Sequence, residues 1–261
     1  MTAQSMSTPA MSTPALSCRD VTVRFGDFTA LSGVSLDVAA GSTISLIGPN
    51  GAGKTTLINA LSGRVALAGG SIALAGRDIT RLPAHARARA GLGRSFQIIN
   101  IFAEMTVEQN LRLGAQAHRF RLQPFWRPVE AWGDLTLRAR ETAAVVGLAD
   151  VLDQPVGQLS HGRQRALELG LTLMTEPDVL LLDEPLAGVG RQEIAETVAL
   201  IDRVRRGRTV LLIEHNMDVV MALSDEIVVM MAGQVLMRGD PATVRNDPTV
   251  RRAYLGDDEA A

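Results

Sequence analysis

Residues 48–56 read GPNGAGKTT, and the lysine inside that run, Lys54, is the single lysine among the 26 Lys and Arg residues of a 261-residue chain. The run fits G-x-x-x-x-G-K-[ST] without a gap over Gly48, Pro49, Asn50, Gly51, Ala52, Gly53, Lys54 and Thr55, and Thr56 follows it. STISLIG before it reads as a strand, and TLINALSG after it has helical spacing. That strand–loop–helix context is what the pattern needs to hold a polyphosphate. The glycines let successive backbone N–H groups face one centre, and the helix N-terminus behind them favours an anion. Lys54 is then expected to reach the β/γ-phosphates, and Thr55 to hold Mg2+. A lysine suits such a nest because it is a compact point charge with rotatable donors, where arginine is a wide planar fork.

Working outward, DVLLLDEP (178–185) and TVLLIEH (209–215) are almost wholly apolar strands, separated by a helical stretch over 191–204. Buried apolar strands alternating with helices predict a parallel sheet in an α/β core. VTVRFG, ALSGVSLDV and SIALAGRDI read as further strands, and EIVVMMAGQVLMRGD as a closing hairpin turning at Ala232–Gly233. Between 96 and 173 the texture is helical, through TVEQNLRLGAQAHRF and LTLRARETAAVVGLADVL. This predicts one domain over 16–261 with a helical subdomain at about 97–173 inserted in the core. Residues 1–15 carry MSTPA twice and read as a disordered tail.

A net charge of −2 argues against a nucleic-acid partner. The arginines at 81, 87, 89 and 94 read as a solvated helix face. One cysteine, Cys18, excludes an internal disulfide. No secretory signal is visible, since the first basic residue is Arg19. No apolar run approaches the ~18 residues that span a bilayer, so a membrane role must come through a partner. RFRLQPFWRPVEAW (119–132) holds both tryptophans and reads either as a small core of its own or as a face for a membrane partner.

Two further stretches carry chemistry. VLLLDEP ends a strand on adjacent carboxylates: Asp183 is placed to hold Mg2+ through water, and Glu184 to polarise an attacking water. In QLSHGRQRALELG (158–170), Ser160 precedes a helical pattern. It is either only an N-cap or, with Gly162 beside it, part of an anion site at a helix start.

Together these pieces resemble the ATP-binding-cassette (ABC) ATPases, from about residue 16 to the end. The resemblance implies a P-loop core with a parallel sheet, an N-terminal antiparallel β subdomain and an inserted α-helical subdomain. The family's LSGGQ signature stands here as Leu159-Ser160-His161-Gly162-Arg163. It implies that Ser160 and Gly162 serve the ATP on the loop of a second ATPase subunit, in a head-to-tail dimer. It further implies that Phe25 stacks on adenine, that Gln97 links Mg2+ and the attacking water to the helical lobe, and that His215 contacts the γ-phosphate. His161, Arg163 and Gly190 depart from the pattern, the last standing where many members carry aspartate.

IGPNGAGKTTL, GRSFQIINIFAEMTVEQNL, LLIEHNMDVVMALSDEIVVM and DPTVRRAYLG are most similar to the ATPases of branched-chain amino acid importers. Importers of urea, short amides or aromatic acids share much of this pattern. The resemblance implies ATP and Mg2+, two transmembrane permease subunits docking near 97–105, a periplasmic solute-binding protein acting indirectly, no nucleic acid, and a place on the cytoplasmic face of the inner membrane. A soluble ABC ATPase of translation or DNA repair usually has two cassettes or a long coiled coil. A P-loop kinase has no use for the signature, and a non-catalytic cassette has none for Lys54, Asp183 and Glu184 together.

Overall fold

A computed structural model describes residues 13–95, 101–119, 133–190 and 193–250. Residues 1–12, Gln97 and residues 120–132 lie outside them.

Strands β1 (Leu16–Phe25), β2 (Phe28–Val38), β4 (Gly69–Leu74) and β5 (Arg77–Asp78) form an antiparallel sheet in the order β2-β1-β4-β5. Leu16, Cys18, Val21 and Val23 of β1 all point inward. The alternation survives a register shift between Cys18 and Val21, where Asp20 takes a φ of 50°. The β4–β5 turn is Ala75-Gly76, with φ of 46° and 78°. Two successive positive φ values match the right-handed twist of a hairpin, and glycine meets that demand without strain.

The second sheet has the order β10-β9-β3-β8-β7-β6. Its strands are β3 (Thr43–Ile47), β6 (Leu92–Arg94), β7 (Val179–Asp183), β8 (Thr209–Ile213), β9 (Glu226–Met231) and β10 (Gln234–Gly239). All pairs are parallel except β9–β10, whose turn falls at Ala232-Gly233 as the sequence predicts. Every residue of β3, β7 and β8 is buried, the expected result for apolar runs covered on both faces. Val179, Leu181, Leu211 and Ile213 face one core with helix α1 (Lys54–Leu61) and the antiparallel sheet. Leu180, Leu182, Val210 and Leu212 face a second core, on the helical side. The period of two thus sends alternate residues of the same strands into different cores.

The helical side contains α3 (Val107–Arg119), α4 (Gly133–Val145), α5 (His161–Leu173) and α6 (Ile194–Arg205). Gly170 of α5 lets Leu111 approach to 3.1 Å of where a Cβ would stand, so α3 and α5 pack closely. The helical texture read through residue 152 stops at Val145 instead. Gly147, at φ 74°, closes the helix: Leu148 N donates to Ala143 O at 2.7 Å and Gly147 N to Ala144 O at 3.3 Å. This is a left-handed C-terminal cap, and the dipeptide Gly147-Leu148 was its sequence signal.

Two of the four arginines read as a solvated face are not solvated. Arg87, in α2 (Ala84–Arg89), is 3% exposed. It donates to Ala60 O and Leu61 O at 2.7 and 2.6 Å, to Thr80 O at 2.8 Å and to Leu82 O at 2.9 Å. It therefore satisfies the carbonyls left open at the end of α1. Arg94 turns inward because it ends β6, a strand too short to be recognised in the sequence.

Candidate functional site

Strands β3, β8 and β7 are neighbours, so the loops leaving their carboxyl ends meet at one edge of the sheet, the usual place for ligands in open parallel sheets. The loop after β3 is Gly48–Gly53. Gly48 must be glycine, because an added Cβ would collide with the Met230 carbonyl of β9. Gly53, at φ 99°, is the N-cap of α1, and an added Cβ would come within 2.8 Å of Leu31. Gly51, at φ 82°, faces open space. Pro49 O accepts from Ala52 N, and Gly233 N donates to Ala52 O, so the β9–β10 turn braces the loop from behind. Asn50 and Thr55 are exposed, Pro49 and Thr56 half-buried.

Lys54 is 6% exposed, and its ammonium donates to Gly48 O at 2.6 Å and Pro49 O at 3.1 Å. Burial pulls its pKa down, while the negative fields of Glu184 and Asp183 push it back up. No side chain caps α1, so the N–H groups of its first turn keep their capacity for an anion.

Asp183 ends β7 fully buried, paired with Arg94 at 3.0 Å. Burial raises its pKa and Arg94 opposes the rise. Arg94 is itself fixed by Asn59 Oδ1 at 2.7 Å and Ser62 Oγ at 2.8 Å, both on or next to α1. The other carboxylate oxygen, Asp183 Oδ1, is buried without a hydrogen-bond partner. A buried anionic oxygen left open costs free energy unless a cation or water completes it. That orphaned oxygen, the uncapped helix and the inward ammonium fit a magnesium–polyphosphate group.

Glu184 follows with a φ of 50°, a left-handed conformation that costs a non-glycine residue on the order of 1 kcal/mol or more. Its Oε1 lies 3.0 Å from His215 Nε2, the residue that leaves β8. Glu214, only 4% exposed, accepts from Leu186 N at 2.9 Å and from His215 N at 3.0 Å. One buried carboxylate therefore ties the loop after β7 to the loop after β8.

Lys54, Asp183, Glu184 and His215 come together here. Phe25 stands at the β1–β2 hairpin tip, 53% exposed, paired across the turn with Phe28 at 67%. Ser160 and Gly162 open α5, which packs on α3, α4, α6 and β6. Ser160 accepts from Arg163 N at 3.4 Å, so it does cap the helix. Arg163, in place of the signature glutamine, pairs with Asp150 at 2.8 Å. Arg94, Asn59, Ser62 and Glu214 are site residues that sequence reasoning missed. Only Glu214 left a signal, a carboxylate at the end of an apolar strand beside His215.

The family model described as "ABC transporter" matches residues 31–187. One described as "Branched-chain amino acid ATP-binding cassette transporter" matches residues 234–260. The high-affinity branched-chain amino acid transport ATP-binding protein BraF of Pseudomonas aeruginosa is 42% identical over 246 residues, covering 91% of this chain and 96% of that protein. LivG of Escherichia coli, named for the same transport, is 39% identical over 249 residues, covering 92% and 97%. Among solved structures, the ADP conformation of MJ1267, an ATP-binding cassette of an ABC transporter, superposes with a TM-score of 0.81 at 31% identity, over 93% of this chain and 99% of that one. Family model, relatives and fold agree: the chain belongs to the ABC transporter family, with the fold of its ATPases.

Proposed function

We propose that this chain is the ATP-hydrolysing subunit of an importer of branched-chain amino acids. The observation that carries the hydrolytic part is the convergence of Lys54, Asp183, Glu184 and His215 on the ends of three adjacent strands. In this reading the backbone of Gly48–Gly53 and Lys54 bind the phosphates, with Thr56 in the first helical turn. Thr55, Asp183 and Gln97 hold magnesium, which when bound supplies positive charge to the phosphate oxygens. Phe25 offers its exposed face to adenine. Glu184 takes the proton of the attacking water, and His215, 3.0 Å from it, orients that carboxylate and reaches toward the γ-phosphate. Ser160 and Gly162 complete the site of a second ATPase subunit.

The transport part rests on the relatives. No helix among the described residues is long and apolar enough to cross a membrane. In this reading the solute path belongs to separate permease subunits, on whose cytoplasmic side this chain docks. A permease helix docking near residues 97–105 could place a few side chains in the cavity of about 300 Å³ between α2 and α5, which has Arg94 in its wall. A periplasmic binding protein would select the solute.

Two measurements test this. In the assembled transporter, Glu184→Gln is expected to keep ATP binding and lose turnover by about 100-fold or more; parental turnover removes Glu184 as the base. With its cognate binding protein, leucine, isoleucine or valine is expected to stimulate ATPase activity. Stimulation by urea, an amide or an aromatic acid instead would reassign the solute and leave the ATPase reading intact.

A further inference from the structure

We infer that Glu193 sets how long two subunits stay closed on ATP, by placing a negative charge without an ion-pair partner among the described residues beside the signature helix. The inference deepens the proposed function and rests on its reading that Ser160 and Gly162 face a second subunit's nucleotide.

The carboxylate oxygens of Glu193 lie 3.1 and 3.2 Å from where a Cβ would stand on Gly162, the second residue of α5. The side chain of Glu193 does not cap its own helix α6, although the residue occupies the N-cap position. Its backbone is well tied, N donating to Gly190 O at 2.8 Å and O accepting from Thr197 Oγ1 at 3.0 Å. The carboxylate has no hydrogen-bond or ion-pair partner among the described residues.

It lines a cavity of about 470 Å³ together with Ser160, Gly162, Arg163, Glu196 and Arg203. Neither arginine of the wall forms an ion pair with it: Arg163 pairs with Asp150 at 2.8 Å, and Arg203, which keeps its charge, donates to Val145 O at 3.0 Å. Glu196 adds negative charge to the same wall. On the far side Gly190 contributes no side chain, and a Cβ there would lie 4.0 Å from Oε2.

An anion at the N-terminal end of a helix is favoured by the open N–H groups and the helix dipole. Glu193 thus stands in the field that an incoming triphosphate would use. A fixed like charge beside that place opposes closure and speeds reopening. At separations of several ångströms in a partly wet cleft, one such charge is worth on the order of tenfold in an equilibrium constant.

The test uses the assembled transporter in a Glu184→Gln background, where bound ATP is not consumed, and follows release of labelled ATP after dilution. Adding Glu193→Gln, which keeps the shape and removes the charge, is expected to slow release about tenfold at low salt. The difference is expected to shrink in about 1 M salt, where screening acts within ~3 Å. Glu193→Asp, which keeps the charge, is expected to stay near the parent. A purely structural role predicts no such salt dependence. Ser160→Arg is the control and is expected to abolish retained ATP. If Ser160→Arg does so while Glu193→Gln leaves release unchanged or faster, the inference is overturned and the two-subunit site stands. If the Glu184→Gln transporter retains no ATP, or Ser160→Arg leaves retention intact, the two-subunit site falls and the inference with it.

Discussion

At Lys54 the constraint is geometric. The ammonium lies inside its own loop against two carbonyls, at 2.6 and 3.1 Å, with almost no exposed surface. A guanidinium presents five donors in a rigid plane and cannot share that narrow space with both carbonyls and a phosphate. Lys54→Arg is therefore expected to keep fold and charge and to lose about 100-fold in ATPase activity, about 2.7 kcal/mol of transition-state stabilisation. Circular dichroism and steady-state kinetics measure both halves, and a parental rate would show the lone lysine to be an accident of composition. Asp183 shows a second kind of constraint. One oxygen is committed to Arg94 and the other is left open, so the carboxylate is oriented before any metal arrives.

Among the elements, α1 carries the most consequence because it joins the phosphate loop to both cores. Its N-terminal end is left open for ligand, while its C-terminal end is closed by Arg87 from α2. Removing Arg87 would orphan several carbonyls at once, and orphaned buried acceptors cost about 1–3 kcal/mol each where water cannot reach them. Arg87→Met is expected to lower the stability of the nucleotide-binding core by about 3 kcal/mol, read as a fall in the urea midpoint. Arg87→Lys is expected to recover only part, since one ammonium cannot reach carbonyls on both α1 and the Thr80–Leu82 segment. Equal stability of parent and Arg87→Met would mean that solvent replaces the guanidinium.

For the whole molecule, the proposed function requires one chain to present two half-sites on different elements. The Gly48–Gly53 loop follows β3 of the parallel sheet, and Ser160 and Gly162 lie at the start of α5, which packs on the helices α3, α4 and α6. A photo-reactive residue at Ser160 is expected to cross-link to a second ATPase subunit, in an ATP-dependent manner, in the assembled transporter. Cross-links confined to its own chain would remove the two-subunit site. The same division separates the hydrolytic edge from the cavity between α2 and α5, yet Arg94 belongs to both, lining the cavity while holding Asp183.

What the sequence alone determined is what is written in short windows. The phosphate loop was legible because its glycines act through backbone geometry, and its lysine and threonine through side chains, all within eight residues. The strands β3, β7 and β8 were legible because burial on both faces leaves them almost wholly apolar, and the β9–β10 turn because Gly233 meets one of its two positive φ values without strain. Strand order was not legible. Nothing local places β8 between β3 and β7, yet that order sets His215 beside Glu184. Nor could composition show that Arg87 is buried and Arg94 half-buried while Arg81 and Arg89 stay in water. A side chain's burial depends on which distant segments cover it, and a three-residue strand such as β6 exists only because Val179–Leu181 offers it a register. The tertiary structure decided the partners of each charge, because hydrogen bonds and burial join residues that the chain itself holds far apart.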